Sequence, residues 1–130
     1  MAGPLNGFTV LDLSVGHAGT LSAMLMADNG ANVIRITSPH GDPSMDTGGY
    51  PVWNRGKKGI VLDVTKPEGQ SVLKRLLATA DVLLETGAPG EMDKLGLGYE
   101  ALHKAFPRLV YTSIRSEEHT SELQSRQYLV

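Results

Sequence analysis

The 130-residue chain is 41% hydrophobic and 20% charged, carries a net charge of −2 and contains no cysteine. That is the composition of a single globular domain, not of a disordered, fibrous or disulfide-stapled chain. Balanced charge, with basic residues scattered apart from Arg55, Lys57 and Lys58, argues against a nucleic-acid partner. No apolar run approaches the ~20 residues of a membrane span, the N-terminus lacks a signal-peptide pattern, and the histidines show no metal-ligand spacing, so a cytoplasmic chain without metal is expected.

Residues 8–13, with Phe8, Val10, Leu11 and Leu13, form a short β-rich run. A small-residue loop at Gly16, His17, Ala18 and Gly19 then leads into a helix predicted over 20–30, with Thr20 or Ser22 as N-cap and Gly30 as its left-handed stop. Residues 32–36 resume strand character, so the chain opens on a βαβ unit, which implies parallel strands. Residues 37–55, rich in Gly, Pro and Ser, read as a long surface loop, a frequent place for function. A third strand is expected at 60–63. A helix over 67–80 follows, with Pro67 and Glu68 in its first turn and Val72, Leu73, Leu76 and Leu77 on its apolar face. The unbroken apolar run at 82–85 reads as a strand buried on both faces. Short helices at 89–95 and 99–106 and a fifth strand at 109–114 complete the pattern, and no internal repeat is visible. This alternation predicts an α/β protein, a Rossmann-like parallel sheet with flanking helices.

At Arg115 the character changes: the polar run Arg115, Ser116, Glu117, Glu118, His119, Thr120, Ser121, Glu122, Leu123, Gln124 follows a buried-type strand without a turn signal. It matches the translation of a common sequencing-library adapter, and residues 125–130 fit the index and bases that follow. The expected division is therefore 1–114 as native domain and 115–130 as adapter read-through without native domain.

The turn after the first strand offers Gly16 and Gly19 but not the G-x-G-x-x-G spacing, and Arg35, Ile36, Thr37 and Ser38 supply no acid for a ribose hydroxyl, so NAD is not the expected ligand. No phosphate-binding G-x-x-x-x-G-K-[ST] run occurs. Asp12, Asp28, Asp63 and Asp81 each have a simple reading as turn, cap or solvated charge, and none is assigned catalysis.

Residues 3–114 resemble the N-terminal region of the family III CoA-transferases (CaiB/BaiF type, with formyl-CoA transferase and α-methylacyl-CoA racemase relatives). The resemblance is carried by Val10, Leu11, Asp12, Leu13 and Ser14; His17, Ala18 and Gly19; Met24 to Asp28 with Gly30, Ala31, Val33 and Ile34; Asn54, Arg55, Gly56, Lys57 and Lys58; Ala80, Asp81, Val82, Leu83 and Glu85; and Leu95, Gly96, Leu97, Gly98 and Tyr99, in the family's order. It implies a truncated part of the large domain of an interlocked homodimer. The implied substrates are an acyl-CoA and a carboxylic acid, with no permanently bound cofactor. It also implies an aspartate that takes the acyl group as a mixed anhydride, a covalent intermediate that divides one difficult transfer into easier steps. That aspartate is expected beyond Ile114, so this chain is expected to hold no catalytic residue and to be inactive by itself.

The resemblance further assigns CoA contacts. His17, Ala18 and Gly19 match the loop where the thioester approaches backbone amides at a helix start, with His17 in place of a frequent glutamine and Thr20 in place of proline. Leu62 and Thr65 match positions lining the adenine pocket. Thr86 and Gly87 stand where the family often has Asn-Phe, and Lys94 and Leu95 match a basic-apolar pair near the diphosphate. Thr37 and Ser38 lack the family's basic residue at the end of the second strand, whereas Arg55, Lys57 and Lys58 could steer a polyanion. The alternatives are a fragment of an α-methylacyl-CoA racemase or a non-catalytic CoA- or nucleotide-binding module.

Overall fold

The computed structural model describes residues 3–115. The proposed read-through therefore lies outside the described residues, apart from Arg115. Five parallel strands, β1 (Thr9–Asp12), β2 (Asn32–Thr37), β3 (Lys58–Val61), β4 (Val82–Glu85) and β5 (Val110–Ser113), form one sheet in the order β3-β2-β1-β4-β5. Two helices carry most of the packing, α1 (His17–Asp28) and α3 (Pro67–Leu77), and α2 (Tyr50–Trp53), α4 (Glu91–Lys94) and α5 (Tyr99–Ala105) are short.

Period-two alternation along the strands divides the core between the two faces of the sheet. Leu11 and Leu83 point to the layer containing Leu73, Leu77, Leu97 and Leu102, contributed by α3, α5 and the turn between α4 and α5. Their neighbours Val10 and Leu84 point the other way, against Ala23 of α1 with Ala31 and Val33. The strands of the centre are therefore covered on both sides, which is why β4 reads as continuous Val-Leu-Leu.

Helix α3 ends at Leu77, three residues before its expected end, and three further elements depart from the sequence expectation. Helix α1 begins at His17, not Thr20, so His17, Ala18 and Gly19 belong to its first turn instead of a loop. The cause is Gly16, whose φ of 87° turns the chain directly from strand to helix. Thr20 is buried and Ser22 Oγ donates back to Ala18 O at 2.8 Å, so neither caps the helix. Gly30 does stop it, with φ of 99°. Strand β3 runs two residues earlier than expected, because pairing Ile34 with Lys58 and Ile36 with Ile60 fixes its register. Asp63 then accepts the Thr65 amide at 3.0 Å in a turn that ends the strand's course. The 37–55 segment is not one loop: it holds a 3₁₀ turn at Pro43–Asp46, capped by Asp42, and then α2.

Among the described residues no helix is long and apolar enough to cross a membrane, and no group of three or more His, Cys, Asp or Glu could hold a metal ion.

Candidate functional site

In this strand order the chain leaves β1 toward β2 on one side, and later returns to place β4 on the other. At such a reversal the segments leaving two adjacent strands diverge and open a crevice beyond the strand ends. A cleft of about 360 Å³ lies there, bounded by the ends of β1, β2 and β4 and by the segments that follow β3 and β4. The two diverging segments are stitched together at its floor: the Val15 amide donates to Thr86 Oγ1 at 2.8 Å, and that hydroxyl donates to Val15 O at 3.2 Å.

Leu62, Thr65, Thr86, Gly87 and Leu95, which the sequence resemblance assigns to CoA, all line this one cleft although more than thirty positions separate the first from the last. Gly19 stands behind the wall: a Cβ there would lie 2.2 Å from Ser14 Cβ and 3.2 Å from Thr86 Cγ2. His17 and Ala18 are exposed on the first turn of α1, where the His17 ring packs edge-on against Trp53 with centroids 4.2 Å apart. Lys94 is exposed at the end of α4 and is not among the residues that line the cleft.

The base of the site is an ionic cluster that the sequence reading missed. Asp12 is fully buried, so its reading as a turn, cap or solvated charge is corrected: Lys57 Nζ donates to its Oδ2 at 2.9 Å and Arg35 NH1 at 3.2 Å. Lys57 also donates to Thr20 O and Asn54 Oδ1, each at 3.0 Å, and its side chain is only 1% exposed. Arg35 reaches both rims of the cleft, donating to Ser14 O at 2.7 Å on one and to the Asp42 carboxylate on the other. Of the basic cluster, Lys57 is held internally and Arg55 pairs with Asp28 at 2.7 Å on the surface, while Lys58 is exposed. The signal that was available is Arg35 itself, a charged residue in the middle of an otherwise apolar strand.

Burial pulls the Lys57 pKa down and prevails over the attraction of Asp12. Burial acts on Arg35 in the same sense, but Asp12 and Asp42, with hydrogen bonds to Tyr50 and Asp12, outweigh it and raise its pKa. For Asp42, burial would raise the carboxyl, and the Ser44 hydroxyl and amide together with Arg35 prevail and hold it low. Asp63 is lowered as well, chiefly by the Thr65 hydroxyl.

Both carboxyls being depressed, their contribution to stability is present above the unfolded value of about 3.9 and is lost as pH falls through the lower folded value. The thermal midpoint is expected to decline below about pH 4. The variant Asp42→Asn should melt lower than wild type at neutral pH, with a shallower acid decline. Equal acid slopes for the two proteins, followed by circular dichroism, would count against Asp42.

Other cleft residues escaped the sequence reading. Glu85 is buried at the end of β4, where its Oε2 accepts the Gly87 amide at 2.7 Å and its Oε1 the Tyr111 hydroxyl at 3.3 Å. Arg115 NH2 lies 3.5 Å from Glu85 Oε1. Gln70 Nε2 ties the wall together, donating to Val64 O at 2.9 Å and Leu95 O at 3.1 Å. Nothing in a polar residue on a helix announces that role.

The sheet order and the cleft at its reversal define a Rossmann-like α/β protein. The pattern of CoA-transferase family III matches residues 5–126, and the chain belongs to that family. It is 38% identical over 125 residues to the Mycobacterium tuberculosis protein named "probable fatty acyl-CoA transferase", covering 87% of this chain and 32% of that one. A crystal structure of that protein superposes with a TM-score of 0.85 at 37% identity, over 90% of this chain and 35% of the other. Succinyl-CoA–D-citramalate CoA-transferase of Chloroflexus aurantiacus is 39% identical over 117 residues, 82% of this chain and 29% of its own length. Human α-methylacyl-CoA racemase is 41% identical over 110 residues, 85% of this chain and 28% of its own. The chain thus spans about a third of the length of the curated relatives it matches.

Proposed function

We propose that the chain is the CoA-binding N-terminal part of an acyl-CoA:carboxylic acid CoA-transferase. The observation that carries this reading is the convergence of Leu62, Thr65, Thr86, Gly87 and Leu95 on the cleft at the strand-order reversal, in a chain of this family. In this reading the apolar Leu62 and Leu95 hold the adenosine end of CoA. The first turn of α1, with Gly19 allowing its close approach, presents backbone amides to the thioester. The residues of this chain bind and orient. The acyl-accepting aspartate, the mixed anhydride and the acceptor acid belong to the remainder of the protein, as does the second subunit of an interlocked homodimer, and the chain alone is inactive. His17, Ala18 and Lys94, which do not line the cleft, remain proposed CoA contacts, and a cytoplasmic setting fits soluble CoA esters.

The test is turnover by the whole protein. Transfer of CoA from an acyl-CoA to a carboxylic acid, with an acyl-enzyme that hydroxylamine traps on an aspartate, is the expected result. The 41% identity to the human racemase supports a second reading. Exchange of the α-hydrogen of a 2-methylacyl-CoA with solvent deuterium, without CoA transfer, would favour it over the first. Binding of CoA with neither reaction would favour a non-catalytic CoA- or nucleotide-binding module.

Residues 115–130 are proposed to be adapter read-through, although the family match extends past 114 to residue 126. A genomic clone encoding these residues in unrelated codons would overturn that proposal.

A further inference from the structure

The two faces of the sheet are not equally covered. On one, Leu11, Leu83 and Tyr111 of β1, β4 and β5 all meet the layer to which α3 and α5 contribute. On the other, Val10, Val33 and Leu84 lie beneath α1, and among the described residues none of β5 joins them. The register follows this difference along one row. Val10 pairs with Val82 and Val82 with Val110, so the three side chains stand on the same face of adjacent parallel strands. Val10 is 1% exposed, Val82 half-buried and Val110 57% exposed. In the row that holds Leu84, which is buried, its β5 partner Thr112 is only half-buried. The cover runs out across β4, although a parallel sheet is ordinarily covered on both faces.

The strand order accounts for the gap. Crossovers between parallel strands are right-handed. The step from β1 to β2 therefore sets α1 on one face, and the steps from β3 to β4 and from β4 to β5, which run the opposite way across the sheet, set α3 and α5 on the other. A sixth strand beside β5 would continue in that second direction, and its crossover helix would land on the face that is already covered. Cover for Val82, Val110 and Thr112 has to come from a segment that reaches the α1 face by another route.

We propose that this strip seats an amphipathic helix from the part of the same polypeptide that lies outside this chain. The dimensions suit one helix. With four residues each, β4 and β5 span about 13 Å along the strands and about 10 Å across the pair. A helix is about 10 Å across, packs about 8–10 Å from a neighbour such as α1, and covers about 13 Å in about nine residues. The same dimensions argue against a second copy of the protein, because about 130 Å² of strip is far below the roughly 800 Å² per partner of a stable interface. The remainder of the polypeptide is long enough to supply the helix, since this chain spans about a third of the length of its relatives. Its inner face would set aliphatic side chains, recurring every three to four residues, against Val82 and Val110. The proposal stands whatever the cleft binds.

The experiment uses the whole protein. Val110→Thr keeps the β-branched shape and exchanges a methyl for a hydroxyl, so at an exposed position it leaves the thermal midpoint within about a degree of wild type. Beneath a helix the hydroxyl is buried without a partner, and the midpoint is expected to fall by several degrees. A benzophenone amino acid placed at position 110, in protein assembled from isotopically light and heavy copies, then identifies the cover by photo-cross-linking and mass spectrometry. The expected product joins position 110 to an apolar, helix-patterned peptide outside residues 1–130, with light always joined to light and heavy to heavy. An unchanged midpoint in Val110→Thr overturns the proposal, as does a link between light and heavy copies, a link confined to residues 1–130, or no link.

Discussion

The substitution Asp12→Ala is expected to destabilise the protein by about 3–5 kcal/mol, because it strands two buried cations at once. Lys57 would keep only the neutral acceptors Thr20 O and Asn54 Oδ1, and Arg35 would retain Ser14 O and Asp42. The loss has a pH signature. Lys57 already has a folded pKa below its ordinary value through burial, with Asp12 opposing that shift. Without Asp12 the shift deepens. The unfolded chain then holds more protons than the folded one between the folded pKa and about 10.4, so stability rises with pH through that window. Urea unfolding of Asp12→Ala should therefore recover part of the deficit as pH rises toward about 10.4. A loss under about 1 kcal/mol, or one independent of pH, would show that the cluster is not what holds this base together.

Gly19→Ala is expected to cost about 1–3 kcal/mol and to weaken CoA binding by the whole protein. The added Cβ would fall 2.2 Å from Ser14 Cβ and 2.5 Å from Ser14 Oγ, so the first turn of α1 must move away from the floor of the cleft. The obstruction is a side chain, which makes it removable. In Gly19→Ala with Ser14→Gly the overlap with Ser14 is gone and the 3.2 Å contact with Thr86 Cγ2 is left, so the pair should show a favourable coupling of about 1–2 kcal/mol in a double-mutant cycle. Additive effects would mean that contact with Ser14 is not what requires glycine here. Ser14→Gly alone also removes the hydroxyl hydrogen bond to Asp12, which is why the cycle and not the double variant alone decides the matter.

Much of the fold was legible because it rests on local patterns. The alternation of apolar runs with helical spacing located all five strands and the helices α1, α3, α4 and α5, and the all-parallel sheet follows from the long, helix-bearing connections between successive strands, which parallel pairing requires. Boundaries were less legible where one residue's dihedral decides them: Gly16 started α1 three residues early, and interstrand pairing moved β3. The site was partly legible. Leu62, Thr65, Thr86, Gly87 and Leu95 were named from the family resemblance, and the sheet gathers them in one place.

By itself the sequence determined the α/β class, the family and the set of segments that end at one edge of the sheet. Those properties depend on residue type and spacing, which survive without coordinates. Only the tertiary structure decided which charges are spent and which remain available. Asp12, Arg35, Lys57 and Asp42 lie as far as forty-five positions apart in the chain and meet in a space closed to water, where each cancels the others. Burial and partnership set what a charged side chain can do, and neither is a local property of the chain. The same fact removes Lys57 from the surface and makes Asp12 structural.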